Sequence, residues 1–252
     1  MLQIACNISR FTPMHRLVLL AGFLLLACQV QASDPAPPSP PQVPVSPDLM
    51  GSKLFEQTCA ACHGPKGEGK DELRTPSIAH QPAYYIRNQL ASFRENRRGN
   101  DPSDPQGIMM AAIAKALQPS QVESVAAHVE SMPLVIPNVL TVEGADIKEG
   151  RYLFEMRCME CHRYNASGEL AFGSPPLYGL QSWYLTAQLT KFKTGHRGTV
   201  KGDVNGAKMV FTSSFIENDQ MLKDLVGYIL SLNPIPENDP FTPLTPAKPN
   251  PP

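Results

Sequence analysis

Apolar residues recur at helical spacing through most of this 252-residue chain, and no stretch shows convincing strand-like alternation. Leu54 and Phe55 mark the inner face of a helix predicted from about Asp48 into residues 59–63. A middle helix is predicted over 82–93. A third covers 119–132, where Gln118-Pro119-Ser120 supplies an N-terminal signal. The same order then returns. A helix beginning near Gly144 carries Tyr152, Leu153 and Phe154, and another covers 182–192. The last spans 218–232, with Met221, Leu222, Leu225, Tyr228, Ile229 and Leu232 at helical spacing. Segments 97–107 and 195–206 read as loop-rich. The first and last helices of each set should cross, because each must bury an apolar stripe. The expected class is all-α, in two tandem domains.

Sliding the chain against itself by 99 positions makes the repetition explicit. Gly51 falls on Gly150, Leu54-Phe55 on Leu153-Phe154, Pro76 on Pro175, and Ile78 on Leu177. Tyr85, Gln89, Leu90 and Phe93 fall on Tyr184, Gln188, Leu189 and Phe192. Arg98-Gly99 falls on Arg197-Gly198, and Met110 on Met209, still without a gap. A constant offset over so long a stretch means two copies of one small domain.

Within that repeat stand Cys59-Ala-Ala-Cys62-His63 and Cys158-Met-Glu-Cys161-His162. Cys-x-x-Cys-His is the attachment signal of a c-type haem: each thiol adds to a porphyrin vinyl group, and the imidazole supplies one axial iron ligand. A redox dithiol is the first competing reading, but the βαβ pattern that accompanies such motifs is not visible. Structural zinc is the second. Its knuckles close short loops, whereas these pairs lie about a hundred residues apart, and zinc does not explain the histidine after both. Two covalently bound haem c groups are therefore expected, on Cys59 and Cys62 and on Cys158 and Cys161, with His63 and His162 as axial ligands.

The register also selects the opposite ligand. Electron-transfer haems commonly take His on one face and Met on the other. The first half offers Met109 and Met110, the second Lys208 and Met209, so only Met110 and Met209 pair. Methionine in an apolar helical segment is usually core filler, and Met132, Met156, Met159 and Met221 are read that way or as surface residues. His80, His128 and His196 lack partners at the offset and are not assigned to iron.

Residues 1–32 read as an export signal: Arg10, His15 and Arg16 precede an apolar run, Leu17 to Ala27, and a small-residue exit at Ala32. Cleavage after Ala32 would release a soluble periplasmic protein. Cleavage before Cys28 would instead leave a lipid-anchored, peripherally membrane-associated one. A proline-rich tether follows over 33–47, then domains over 48–133 and 144–233, a linker at 134–143 and a proline-rich tail over 234–252. Loss of the signal removes Arg10 and Arg16 and no acidic residue, so 20 basic side chains face 23 acidic ones. That balance argues against nucleic acid as a partner. With Cys28 set aside, no cysteine of the exported part remains for a disulfide or for iron. Each half is small and poor in large apolar residues, so the porphyrin should form much of its core and the apo-protein should fold poorly.

The order Cys-x-x-Cys-His, Pro-x-Leu/Ile, Tyr-x4-Leu-x2-Phe, Arg-Gly and Met, repeated in tandem over 48–233, resembles the dihaem cytochromes c of the c4 type. The resemblance implies two class I cytochrome c domains, each wrapped around one covalent haem, with the haems approaching across the interface. It implies that the Pro76 and Pro175 carbonyls support the axial histidines. It departs at His80 and Arg163, where the family commonly has glycine. By similarity, electrons would pass from a quinol-oxidising complex or periplasmic dehydrogenase to a terminal oxidase, without a catalytic residue. The competing reading is a dihaem oxidoreductase of the peroxidase or thiosulfate dehydrogenase type, which would need an iron that can open or a cysteine ligand. A third makes the chain the cytochrome subunit of a larger dehydrogenase.

Overall fold

A computed structural model describes residues 47–233. The export signal, Cys28, nearly all of the tether and the tail lie outside the described residues. Among the described residues the fold is helical, and the sole β pairing is two isolated bridges, Lys70 with Thr75 and Glu169 with Ser174, again 99 apart. Within this set no helix is long and apolar enough to cross a membrane.

The first half runs α1 (Pro47–Leu54), a π-helical turn (Phe55–Cys59), α2 (Ala60–His63), α3 (Ala83–Arg94), α4 (Pro105–Ala116) and α5 (Pro119–Ser131). The second runs α6 (Ile147–Arg157), α7 (Met159–His162), α8 (Ser182–Lys193), α9 (Val204–Ser213) and α10 (Asp219–Ser231). Helices α4 and α9 replace what the sequence presents as the far end of a loop-rich approach. Asp104 and Asp203 start them by accepting the Gly107 and Gly206 amides, both at 2.9 Å. That short cap, with Pro105 fixing the first turn of α4, was the available sequence signal.

The expected crossings are present: α1 packs on α5 and α6 on α10. Glycine makes both possible, since a Cβ on Gly51 would overlap the Ser124 backbone and one on Gly150 the Asp224 backbone. Phe55 and Phe154 are fully buried beside these contacts, each burial stabilising its half by roughly 1.5–3 kcal/mol. His128 lies on the flank of α5, edge-on to Phe55 at 5.4 Å, and Tyr228 takes the matching place against Phe154 at 5.5 Å. Met132 is buried core, whereas Met156 and Met159 are exposed.

The backbone repeats more faithfully than the side chains. Arg74, His80, Asn96, Arg163 and Ala166 all have positive φ. Each stands opposite a glycine in the same left-handed region: Gly173, Gly179, Gly195, Gly64 and Gly67. One loop conformation is thus held twice, once by a residue suited to it and once without. His80 and Arg163, the two departures read from the sequence, belong to this set.

Candidate functional site

Each half encloses an apolar cavity behind its Cys-x-x-Cys-His segment. The first, of about 620 Å³, is lined by Cys59, Cys62, His63, Pro76 and Met110 among others. The second, of about 140 Å³, is lined by Cys158, Cys161, His162, Pro175 and Met209. All ten residues singled out in the sequence therefore fall on these two walls. Met109 also touches the first cavity but is 55% exposed, while Met110 packs against the core.

Local folding aims the imidazoles. His63 and His162 end the short helices α2 and α7, each buried, with Nδ1 2.8 Å from the Pro76 carbonyl and 2.9 Å from that of Pro175. A carbonyl only accepts, so Nδ1 carries the proton and Nε2 keeps a free lone pair. Burial holds both imidazoles below their ordinary value of 6.5, against the opposing pull of the proline carbonyls. Each is a neutral base ready to meet a metal. Two further bonds fix the motif: the Thr75 hydroxyl donates to the Cys62 carbonyl, and Ser174 to that of Cys161.

The cysteines do not suit dithiol chemistry. Burial pushes the Cys59 thiol up to about 11 and that of Cys158 up to about 12, with Cys62 and Cys161 adding to each. A reactive dithiol needs the opposite shift. Among the described residues no cluster of three His, Cys, Asp or Glu side chains is placed to hold a metal. An apolar cavity, paired thiols, an imidazole with an exposed lone pair and a thioether on the wall suit a covalently attached haem.

Six residues line both cavities: Tyr85, Gln89, Arg98, Leu180, Tyr184 and Gln188. The cavities therefore back onto one shared wall. Around it the halves exchange bonds in pairs. Tyr84 Oη donates to the Ser174 carbonyl and its counterpart Trp183 Nε1 to Asp71, both at 2.7 Å. Gln181 accepts from the Ser77 amide at 2.9 Å and donates to the Glu68 carbonyl at 3.0 Å. Sequence reading aligned Tyr85, Gln89 and Arg98 with their copies but gave them no role. Their retention at the offset was the signal.

The family description of cytochrome c matches residues 50–133 and again residues 147–233. The chain belongs to the cytochrome c family. This cytochrome is 30% identical to a thiosulfate dehydrogenase electron acceptor of Stutzerimonas stutzeri, over 74% of its own length and 84% of that protein's. Reduced cytochrome c4 from Pseudomonas stutzeri superposes with a TM-score of 0.58 at 25% identity, covering 73% of this chain and 97% of that one. A thiosulfate dehydrogenase of Marichromatium purpuratum gives the same score and identity, covering 72% of this chain but 39% of its own. The cytochrome is thus a tandem, dihaem electron-transfer protein of the c4 type, with haem c on Cys59 and Cys62 and on Cys158 and Cys161.

Proposed function

We propose that this cytochrome is an exported electron carrier in which His63 and Met110 close one iron and His162 and Met209 the other. Pro76 and Pro175 would fix the histidines from behind. Each haem, when bound, supplies an iron that cycles between ferric and ferrous. A thioether opposite an imidazole favours the ferrous form and raises the potential. The observation carrying this reading is that an inward Met stands at the same register on both cavity walls, with no third cysteine among the described residues lining either. Neither site then offers an open position for substrate. That separates the carrier from a peroxidase, which needs one, and from a thiosulfate dehydrogenase using a cysteine ligand.

The donor we favour is a periplasmic dehydrogenase, thiosulfate-oxidising in type, and the acceptor a terminal oxidase. The similarity to a protein named as the electron acceptor of such a dehydrogenase supports this donor over a quinol-oxidising complex. Release after Ala32 gives a soluble periplasmic carrier, and lipidation of Cys28 a peripherally anchored one.

The test uses the holo-protein. Met110→Ala and Met209→Ala should each remove half of the thioether-to-iron absorption at the red end of the visible spectrum. Thiosulfate should reduce the wild type only when a thiosulfate dehydrogenase is added. An unchanged band in either variant overturns the ligand assignment, and direct reduction by thiosulfate alone overturns the carrier reading.

A further inference from the structure

The peptide group that aims the first histidine is gripped from the opposite half. Its carbonyl, on Pro76, accepts from His63 Nδ1 at 2.8 Å. Its amide, on Ser77, donates to Gln181 Oε1 at 2.9 Å. Gln181 Nε2 in turn donates to the Glu68 carbonyl at 3.0 Å. The side-chain amide has one workable orientation, because turning it over would set donor against donor at Ser77 and acceptor against acceptor at Glu68. Ser77 and Gln181 are both buried. Gly69 leaves the glutamine its room, since a Cβ there would overlap the Ser77 nitrogen and Gln181 Nε2.

The second half has the histidine bond without the rest. His162 Nδ1 lies 2.9 Å from the Pro175 carbonyl, but the nitrogen of that peptide belongs to Pro176 and carries no hydrogen. The residue 99 positions before Gln181 is Pro82, whose side chain has no amide. Gln81 reaches across instead, to the Pro176 carbonyl at 3.4 Å, which belongs to the next peptide group. One histidine-aiming carbonyl is therefore polarised through its own peptide, and the other is not.

We infer that Gln181 is a positioning residue for the first haem, acting on His63 through the Pro76–Ser77 peptide, a route that Pro176 closes to His162. The inference rests on the reading of His63 as an iron ligand. An amide whose N–H donates becomes a better acceptor at its oxygen, and linked bonds strengthen one another by roughly 10–30% each. A firmer bond at Nδ1 makes Nε2 more basic, and a more basic nitrogen ligand favours ferric iron. Gln181 lowers the potential of the first haem in this way and leaves the second unaffected. Because the glutamine comes from the opposite half, docking of the two domains becomes part of what sets the first potential.

Proton NMR of the ferrous holo-protein, combined with potentiometric titration, tests this. In the wild type His63 Nδ1–H should resonate downfield of His162 Nδ1–H, and the reverse order overturns the proposal. Gln181→Leu should move the His63 resonance upfield and raise one midpoint potential, leaving the His162 resonance and the other midpoint unmoved. Ser77→Pro gives the first half the second half's peptide and should do the same with Gln181 in place. Gln181→Glu keeps an acceptor for the Ser77 amide, so it should return the His63 resonance to its wild-type position or beyond. An unmoved His63 resonance in the leucine or proline variant, equal displacements at both histidines, or a glutamate variant that behaves as the leucine one overturns the relay. Should the leucine and proline variants fail to take up haem, the wild-type order and the glutamate variant still decide. The His63 ring protons separate the two readings. Without the displacement that a porphyrin ring current imposes, the ligand assignment fails, whereas displaced ring protons with an unmoved Nδ1–H defeat this inference alone.

Discussion

The two halves share a backbone and differ in how much room they leave. The first cavity measures about 620 Å³ and the second about 140 Å³. Part of the cause is on the last helix of each half. Val125 and Val129 of α5 line the first cavity, and Leu225 and Ile229 of α10 line the second. Each change adds a methylene to the wall. The histidine bonds, the caps of α4 and α9 and the left-handed loop positions nevertheless stay in register. Ligand placement therefore lives in the backbone, while side-chain volume is free to vary. On the proposed ligation, two irons with the same ligands would sit in different surroundings, the physical condition for two distinct potentials.

Removing the haem from one half at a time would break this comparison most severely. An unfilled cavity destabilises its surroundings more the larger it is, and the first site leaves more room than the second. Water entering from the open side softens that loss, but a whole domain's stability is only about 5–15 kcal/mol. Cys59→Ala with Cys62→Ala should therefore lose the helical signal of the first half. Cys158→Ala with Cys161→Ala should keep most of the second. Far-UV circular dichroism of the two double variants decides, and equal losses would show that cavity volume does not govern apo-stability.

Much of the site was legible because its chemistry is local. Cys-x-x-Cys-His fits into five residues, and the constant offset carries the methionine and proline with it. What the sequence hid is non-local. Nothing near Arg98 says that its partners are Tyr184 and Gln188, since that contact exists only after the halves fold together. Helices α4 and α9 were obscured by Gly107 and Gly206 in their first turns, although Asp104 and Asp203 announce both starts. The strain at Arg163 was half legible. Its departure from glycine was visible, but the left-handed backbone behind it was not.

That strain offers the next perturbation. Arg163 has φ 66° and ψ 160°, a conformation left almost entirely to glycine, and its copy Gly64 has φ 80° and ψ 155°. Holding a side chain there costs about 1–3 kcal/mol. The exposed ion pair of Arg163 with Glu169, at 3.1 Å, offsets at most about 1 kcal/mol of it. Arg163→Gly should therefore raise the melting temperature of the holo-protein by about 2–4 °C for each kcal/mol relieved. Gly64→Ala should act in the opposite direction, since its Cβ would also meet the Glu68 side chain. A destabilised Arg163→Gly would mean that the Glu169 pair outweighs the strain.

The smallest expected effect concerns a contact that the repeat does not copy. Lys191 reaches across to Asp104 at 2.8 Å, but the residue 99 positions before Lys191 is Ser92, so Asp203 has no equivalent bridge. Burial works to raise the Asp104 carboxyl, yet hydrogen bonds from Lys191 and Gly107 and the nearby Lys191 and Arg98 charges prevail. Its titration lies below the ordinary 3.8. A depressed carboxylate contributes stability that is complete above its unfolded value and disappears as pH falls through the folded one. Asparagine caps a helix about as well as aspartate, so Asp104→Asn removes the charge and leaves the cap. At neutral pH it should lower the melting temperature by about 2–4 °C, corresponding to ~1 kcal/mol or less. The deficit should shrink as pH falls from 3.8 through the lower folded value, where the wild type also loses its carboxylate. Asp203→Asn should show a smaller deficit at every pH. If the two variants respond alike, the helix cap rather than the cross-domain pair carries the effect.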